Sequence, residues 1–339
     1  MNILVFSWRD PKHPLAGGAE QVMHEHMKGW VGAGHEVILF SSHFKGGLRE
    51  ETLDGVKIYR RGFQLIGVNA MGCLYYLFGN HPKIDLGVDQ FQGIPFFTPI
   101  YVRVPKLAVI QEVTKEVWLM NHLPKPLNWI IGWTGYITEP FFFLFYKKVS
   151  FMTGSGSAKE DVTQMGISAK NINVVLHGVI LHKSQITHSI NSVQANHKSQ
   201  TKTIVFLGAL AKDKGIEDAI RTFGILNRKG KFKFWVIGNG SVPYLNYLKK
   251  LVKRVEVTEQ IKFWGFVSQE KKFELLSRAH LLVNPSIREG WGLVNIEANA
   301  VGTPVVAYRS QGLVDSVKNG VSGILCEINS PENMAENVE

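Results

Sequence analysis

Short apolar runs recur along the chain, and stretches with a helix-like spacing of apolar residues separate them. Each run is continuously apolar rather than alternating, which is typical of strands that helices cover on both faces of a parallel sheet. The runs are residues 3–6, 37–40, 107–110, 203–207, 234–237, 261–266, 281–283 and 304–307. The pattern predicts an α/β fold built from doubly wound parallel sheets.

A polar segment divides this pattern in two. Residues 181–202 are rich in Ser, Gln, Asn and His and contain few large apolar residues, as linkers do. On each side of it, the chain opens with a buried strand, a glycine-containing loop and a helix. At about 150 residues per domain, a chain of 339 residues also suggests two domains. We expect Rossmann-like domains over 1–182 and 203–339, a linker over 183–202, and a ligand in a cleft between the domains.

Composition narrows the class of protein. The chain is 45% hydrophobic and 19% charged, which is ordinary for a globular protein and excludes a largely disordered one. Its two cysteines, Cys73 and Cys326, cannot form a disulfide framework or a cysteine-based zinc site. Residues 1–7 lack the features of a signal peptide and are predicted to be the first strand. These observations favour a reducing cytoplasm.

The formal net charge of +10 favours anionic partners. Charge alone leaves nucleic acid, phosphorylated small molecules and anionic membranes open. Residues 219–255 contain no acid and nine basic residues: Arg221, Arg228, Lys229, Lys231, Lys233, Lys249, Lys250, Lys253 and Arg254. We interpret them as a solvated face, with attraction to an anionic lipid leaflet as the alternative. Nucleic-acid binding ranks below both, because no recognised module is present and stacking aromatics are not interleaved.

Residues 129–146 are dense in aromatic side chains and carry a single charge, Glu139. A membrane span needs about 20 mainly apolar residues. Two threonines and the Glu139-Pro140 pair interrupt this run, so we reject a span. We expect a buried helix that restarts at Pro140. The alternative is an aromatic face that lies on a bilayer near Lys147 and Lys148.

The most specific pattern lies in residues 284–304. An apolar strand leads into a loop that contains Gly290 and Gly292, and a short helix follows and ends at Gly302, just before Pro304. A loop that enters a helix in this way presents backbone N–H groups and the positive end of the helix dipole to an anion. The sequence therefore predicts a phosphate-carrying ligand here.

Two carboxylates belong to the same segment, Glu289 on the loop and Glu297 within the helix. Carboxylates are poor phosphate ligands, but they accept hydrogen bonds from the hydroxyls of a sugar or a ribose. Their presence beside a phosphate site points to a nucleotide sugar. The alternative is that Glu289 caps a helix and Glu297 is solvated.

The spacing from Glu289 to Glu297, inside residues 284–307, resembles the signature of the family 4 retaining glycosyltransferases (glycosyl transferases group 1). That family has the GT-B fold, in which two Rossmann-like domains face a central cleft. Residues 17–20, 34–37, 208–215, 238–240 and 265–267 also resemble family motifs. The resemblance extends over essentially the whole chain.

The resemblance implies that the chain moves a hexose from a nucleotide-diphosphate sugar to a hydroxyl of a glycan or lipid-linked glycan. It implies an acceptor-side first domain, a nucleotide-sugar-binding second domain, no metal or other cofactor, and no nucleic-acid partner. Together with the cysteine usage and the basic residues, a lipid-linked acceptor suggests a cytoplasmic protein at the inner face of the cell membrane, in peripheral contact with anionic lipid. The implied catalytic residues are Glu289, Lys214 and Gln111. The implied donor-binding residues are Glu297, Gly292, Leu293, Gly208, Gly290 and Gly238, and Gly17 and Gly18 form the acceptor and phosphate loop.

Three departures from the family pattern qualify these implications. Ala209 stands where the family often has an arginine, and Gln111 stands where a histidine is common. Family members also continue through further helices beyond the position of Glu339, so the resemblance predicts a truncated chain. The alternative function is therefore a catalytically impaired protein that binds nucleotide sugars. A dinucleotide-dependent oxidoreductase is rejected, because the first loop lacks the G-x-G-x-x-G pattern directly after the strand.

Overall fold

The computed structural model describes residues 1–64, 66–121, 124–181 and 201–339. The chain divides into two compact units, Met1–Leu176 and His177–Glu339. The linker expected over 183–202 lies outside the described residues, apart from residues 201 and 202 at its end. Each unit is an α/β layer structure and is described by itself.

In the described part of the first unit, eight strands form one sheet in the order β3-β4-β2-β1-β5-β6-β7-β8. Neighbouring strands are parallel except for the pair of β3 and β4. The strands are β1 (Asn2–Phe6), β2 (Glu36–Ser41), β3 (Glu50–Leu53), β4 (Val56–Arg60), β5 (Leu86–Phe91), β6 (Lys106–Ile110), β7 (Ser150–Thr153) and β8 (Ile172–Val174). The helices are α1 (Gly18–Gly32), α2 (Ile66–Phe78), α3 (Thr98–Tyr101), α4 (Leu127–Phe142) and α5 (Gly156–Gln164), with 3₁₀ helices at Lys115–Met120, Phe143–Tyr146 and Ala169–Asn171.

In the second unit, the described residues form a six-stranded sheet in the order β11-β10-β9-β12-β13-β14, with every neighbouring pair parallel. The strands are β9 (Lys202–Leu207), β10 (Phe232–Ile237), β11 (Ile261–Gly265), β12 (Leu281–Asn284), β13 (Val305–Ala307) and β14 (Gly323–Leu325). The helices are α6 (Ile216–Asn227), α7 (Val242–Arg254), α8 (Gln269–Arg278), α9 (Leu293–Ala300), α10 (Leu313–Ser316) and α11 (Pro331–Val338).

The central strands are buried on both faces, as their continuous apolar runs predicted. Ile3 and Val5 of β1 pack in one core with side chains of α1, whereas Leu4 and Phe6 pack in a second core with Val68 of α2. Alternate residues of one strand thus enter two different cores, because side chains alternate between the faces of a sheet. Each of the eight runs identified in the sequence coincides with a strand of the two sheets, and the runs 261–266 and 304–307 extend one residue beyond their strands.

The sequence analysis identified no apolar run for six further strands: β3, β4, β5, β7, β8 and β14. β4 alternates buried and exposed positions and contains the buried Arg60, and β3 is a polar edge strand. β5 carries the buried side chains of Asp89 and Gln90. The Asp89 carboxylate accepts hydrogen bonds from Thr98 and the Tyr146 hydroxyl on Oδ2 and from the N–H of Phe96 on Oδ1, which satisfies both oxygens within the core.

The expectation of a buried helix that restarts at Pro140 is wrong on both counts. α4 is a continuous helix with Pro140 inside its last turn, and much of its apolar surface is exposed. A proline near the end of a helix disturbs few hydrogen bonds, and here the chain passes directly into a 3₁₀ helix. The buried carboxylate of Glu139 accepts the N–H groups of Thr114 and Lys115 at 2.7 and 2.8 Å. None of the helices in the described ranges has the length and apolar character that crossing a bilayer requires.

Candidate active site

The second unit gathers three loops at one edge of its sheet. β10, β9 and β12 are neighbouring parallel strands, so the loops that follow them emerge at the same, carboxyl-terminal edge. Gly208 follows β9 and Gly238 follows β10. Gly238 has a φ of +138°, and a Cβ atom there would lie 1.8 Å from the carbonyl oxygen of Gly208. Only glycine permits this approach of the two backbones.

The loop after β9 is fastened to the loop after β12. The N–H of Ile287 donates to the carbonyl oxygen of Asp213 at 2.8 Å. Gly215, at the start of α6, has a φ of +70°, and a Cβ atom there would lie 2.0 Å from the carbonyl oxygen of Pro285. This contact brings the residue before it, Lys214, alongside the second loop.

Lys214 and Glu289 form an ion pair at this junction. The Lys214 ammonium nitrogen lies 3.1 Å from Glu289 Oε1, and 3.5 Å from the carboxylate of Asp213. The hydroxyl of Ser286 donates to Glu289 Oε1 at 2.9 Å. The side chains of Lys214 and Glu289 are 23% and 22% exposed. The pair is therefore held in place while a ligand can still reach both groups.

The amino end of α9 follows directly. Gly292 precedes the helix with a φ of +81°, and no described side chain caps it. A Cβ atom on Gly292 would lie 2.8 Å from Ser316 Oγ. Asn284 donates to Asn295 at 2.8 Å, and Asn295 donates to Ser316 at 3.0 Å, which anchors the helix to β12 and α10. The positive end of the helix dipole thus lies just after Glu289 in the chain, at the loop where Gly290 is buried.

Glu297 lies one turn into α9 and pairs with Lys272 of α8. The two charged groups are 2.5 Å apart, and their side chains are 17% and 15% exposed. Glu297 is therefore ion-paired rather than solvated, and the residue that precedes α9 as its cap is Gly292 rather than Glu289. Both carboxylates keep oxygen lone pairs that could accept further hydrogen bonds.

The remaining predicted residues belong to the first unit. Gly17 and Gly18 form the entry to α1, where the N–H of Gly17 donates to the Glu20 carboxylate at 2.6 Å. Gln92 also donates to Glu20, at 2.7 Å. Gln111 directly follows β6. The other eight predicted residues lie in the second unit, around the three loops and α9, and all eleven roles stay predictions.

Residues that sequence reasoning missed support the same groups. Ser286 and Asp213 contact Glu289 and Lys214, and both lie within a few residues of predicted positions, so their location was a usable signal. Lys272 had no such signal, because its contact with Glu297 spans 25 residues and two helices. Among the residues that the structure describes, no group of three or more His, Cys, Asp or Glu side chains could hold a metal ion.

Comparison with known sequences finds similarity in the second half of the chain. Residues 189–339 match the family described as "Glycosyl transferases group 1". This part of the chain is therefore similar to the group 1 glycosyltransferases. A protein from Methanocaldococcus jannaschii that is described as an uncharacterised glycosyltransferase is 30% identical over 200 residues, which are 57% of this chain and 51% of the relative. The chain spans about half the length of the curated relatives that it matches.

Solved structures share the fold of the whole chain. Sucrose-phosphate synthase from Thermosynechococcus elongatus superposes with a TM-score of 0.82 at 17% identity, over 99% of this chain and 88% of that one. Anabaena HepE, solved in complex with UDP-glucose, superposes with a TM-score of 0.72 at 18% identity and the same coverage. The predicted GT-B fold class, with two doubly wound Rossmann-like domains, is confirmed.

Proposed function

We propose that this chain transfers a hexose, with retention of anomeric configuration, from a nucleotide-diphosphate sugar to a hydroxyl of a glycan or lipid-linked glycan. The observation that carries the proposal is the Lys214–Glu289 ion pair beside the glycine entry to α9. The cation of Lys214 is paired with a carboxylate just before a helix amino terminus, and that helix carries a second carboxylate. This combination suits a ligand that has both phosphates and hydroxyls. The family of this half of the chain supports the same class of reaction.

In the proposed complex, the diphosphate binds the ammonium group of Lys214 and the backbone N–H groups of Gly292 and Leu293. Both sources of positive charge oppose the negative charge that grows on the departing nucleoside diphosphate, so they stabilise the transition state more than the bound substrate. Gly208, Gly238 and Gly290 let the backbone approach the donor closely, because they carry no side chain.

The two carboxylates have separate proposed roles. Glu297 accepts hydrogen bonds from the ribose hydroxyls, and Glu289 accepts them from the donor sugar. Glu289 also accepts one hydrogen bond from Ser286 and lies beside the charge of Lys214. Both contacts stabilise its carboxylate and make it a poor covalent nucleophile. The proposal therefore places the acceptor attack on the same face from which the diphosphate leaves. The bond from the sugar to the phosphate oxygen breaks, the bond to the acceptor oxygen forms, and the acceptor proton passes to the diphosphate.

The proposal includes no metal or other cofactor, because Lys214 and the start of α9 supply positive charge to the diphosphate. It includes no nucleic-acid partner. The acceptor class includes lipid-linked glycans, so the proposed place of action is the cytoplasmic side of an anionic membrane. The roles of Gly17, Gly18 and Gln111 stay predictions that follow from the family resemblance.

Two measurements on the full chain test this function. Thermal unfolding in a panel of nucleotide sugars identifies the donor, because a ligand at 100 times its dissociation constant stabilises the folded chain by about 2.7 kcal/mol. Transfer to oligosaccharide or lipid-linked acceptors is then measured with that donor, and the anomeric configuration of the product is read by NMR. We expect Glu289→Gln to lower transfer by about 100-fold or more, while Glu259→Gln, at an exposed carboxylate, leaves it unchanged.

The outcomes separate the alternatives. Retained configuration and loss of transfer in Glu289→Gln support the proposal. If the chain binds the donor but neither transfers the sugar nor hydrolyses the donor, it is instead an impaired nucleotide-sugar-binding protein. A chain that no nucleotide sugar stabilises would contradict both functions.

A further inference from the structure

The helix α4 packs with its small residues inward. Its buried positions are Gly132, Gly135 and Glu139. A Cβ atom on Gly135 would lie 2.4 Å from the ring of Trp118, and one on Gly132 would lie 2.9 Å from the carbonyl oxygen of Trp118. The helix therefore contacts the body of the first unit through backbone and a hydrogen-bonded carboxylate, and its large side chains must point elsewhere.

Those large side chains form an exposed stripe. Five of them recur at intervals of four residues, which places them along one side of the helix and its 3₁₀ continuation. They are Trp129, Trp133, Ile137, Phe141 and Phe145, with exposed fractions of 69, 41, 58, 58 and 51%. We call these five residues the aromatic stripe.

The helix α7 of the same protein shows the ordinary arrangement. It buries Tyr244, Leu248 and Leu251 and leaves Lys249 and Lys250 exposed. In α4 this arrangement is reversed, because the large apolar side chains are exposed and the glycines are buried. A contiguous exposed patch of this kind marks an interaction surface in a folded protein.

Neighbouring helices extend the stripe. The short helix α3 packs against both α2 and the 3₁₀ helix that follows α4. The ring of Phe97 makes edge-on contacts with Phe142 and Phe145 at centroid distances of 5.5 and 5.6 Å. Ile100 of α3 and Phe78 of α2 are also exposed, and α2 contains no charged residue. The apolar surface thus continues from the stripe across three elements.

Basic residues border this apolar surface. The segments that enter β5, β6 and β7 all arrive at the amino-terminal edge of the sheet, because these strands are neighbouring and parallel. They carry four exposed basic residues, Lys83, Arg103, Lys147 and Lys148. The one exposed acid in these segments is Asp85, which accepts the N–H of Asn2 at 2.8 Å. The border is therefore positively charged, and the acid of α4 itself, Glu139, is buried.

We propose that the aromatic stripe and its basic border dock the first unit on an anionic lipid bilayer. The tryptophan and phenylalanine side chains enter the interfacial region, where amphipathic aromatic rings are favoured, and Lys147 and Lys148 lie at the level of the lipid phosphates. An anionic membrane fits better than a second copy of the chain, because a copy would present the same positive border. The inference deepens the membrane part of the proposed function and assigns it to this surface rather than to the basic residues of α7.

The experiment measures sedimentation of the full chain with lipid vesicles. Vesicles of equal parts phosphatidylglycerol and phosphatidylcholine are compared with vesicles of phosphatidylcholine alone, at 0.1 M salt. We expect binding to the anionic vesicles. The variant Lys147→Gln/Lys148→Gln should bind them about thirty-fold more weakly, because each surface charge contributes about fivefold. The variant Trp133→Ser/Phe141→Ser should lose at least about tenfold, because each ring forfeits apolar burial in the interface. The control Lys249→Gln/Lys250→Gln removes two equally charged groups from α7 and should stay within about twofold of the parent chain.

Three results would overturn the inference: no preference for anionic vesicles, equal losses in the α7 control, or unchanged vesicle binding in both stripe and border variants. A stripe variant that converts a dimer into a monomer while vesicle binding persists would show that a second copy covers the surface. Circular dichroism checks the fold of each variant, and the border variant keeps the test valid if the stripe variant unfolds. Vesicle binding is read without any sugar transfer, so a chain that binds vesicles but transfers nothing contradicts only the proposed function.

Discussion

Replacing Lys214 with methionine separates binding of the diphosphate from chemistry at the sugar. Methionine keeps most of the length and apolar character of the lysine side chain but removes the ammonium group. In the free protein this group lies 3.1 Å from Glu289. In the proposed complex it also binds the diphosphate, so its loss should weaken the binding of any nucleoside diphosphate, with or without a sugar.

The size of the effect follows from the exposure of the pair. Both side chains are about one-fifth exposed, so breaking their ion pair should cost the folded chain only about 1 kcal/mol. A hydrogen bond to a charged group contributes about 1.5–3 kcal/mol. The dissociation constant of a nucleoside diphosphate should therefore rise by roughly 10- to 150-fold. Glu289→Gln should leave that constant unchanged or lower it, because it removes a negative charge beside the phosphates while the contact to Lys214 is freed.

Isothermal titration calorimetry of the full chain with UDP, GDP and ADP measures these constants at fixed salt. Lys249→Met, on the exposed side of α7, is the matched control and should bind like the parent chain. The reasoning is refuted if Lys214→Met binds the preferred nucleoside diphosphate within about twofold of the parent. It is equally refuted if Glu289→Gln loses as much of this affinity as Lys214→Met does.

Three further predictions address other parts of the structure. Gly292→Ala should lower the free energy of unfolding by about 2 kcal/mol, because it forces a side chain into the left-handed region and against Ser316; an unchanged melting temperature would contradict this. Glu297→Ala should raise the KM for the nucleotide sugar by about tenfold with a smaller change in kcat, whereas the opposite split in steady-state kinetics would remove its assigned role. Although burial opposes it, the paired and charged Arg60 holds the pKa of Asp10 below its ordinary value. The pair therefore stabilises the fold above about pH 4 and loses this contribution as the pH falls through the folded-state pKa of Asp10. In urea unfolding, Asp10→Asn should lower the free energy of unfolding by about 3 kcal/mol at pH 7 and by less at pH 3. An equal loss at both pH values would contradict this expectation.

The fold, and the glycine-containing loop that enters α9, could be predicted from the sequence for a physical reason. Strands buried on both faces require continuous apolar runs, and a loop that enters a helix through glycine leaves a local pattern. Strands whose burial depends on partners far along the chain have no such local pattern in the sequence. β5, for example, can bury Asp89 because Phe96, Thr98 and Tyr146 donate hydrogen bonds to its carboxylate.

The environment of the candidate site depends in the same way on distant contacts. The spacing of Glu289 and Glu297 indicated one carboxylate on a loop and one in a helix, and the structure has this arrangement. The lysine that pairs with Glu297 comes from α8, and no local pattern marks it. Tertiary packing selects such partners, so a single sequence does not reveal them.

The average hydropathy of α4 also did not predict which side of the helix faces the body of the first unit. An apolar stretch suggests burial, but the side of the helix that carries Gly132, Gly135 and Glu139 has no large apolar group to bury. That inward side was visible as a spacing of three and four residues. Reading each side of the helix separately, rather than the whole segment, would have predicted the exposed stripe.

The central claim is that backbone N–H groups at the start of α9 and the ammonium group of Lys214 hold the diphosphate of a nucleotide sugar. A crystal structure of the chain with the nucleoside diphosphate that binds most tightly tests it directly. We predict phosphate oxygens within about 2.7–3.2 Å of the backbone nitrogens of Gly292 or Leu293 and of Lys214 Nζ. Phosphates bound at another part of the chain, with the Lys214–Glu289 pair undisturbed and α9 uncontacted, would contradict the claim.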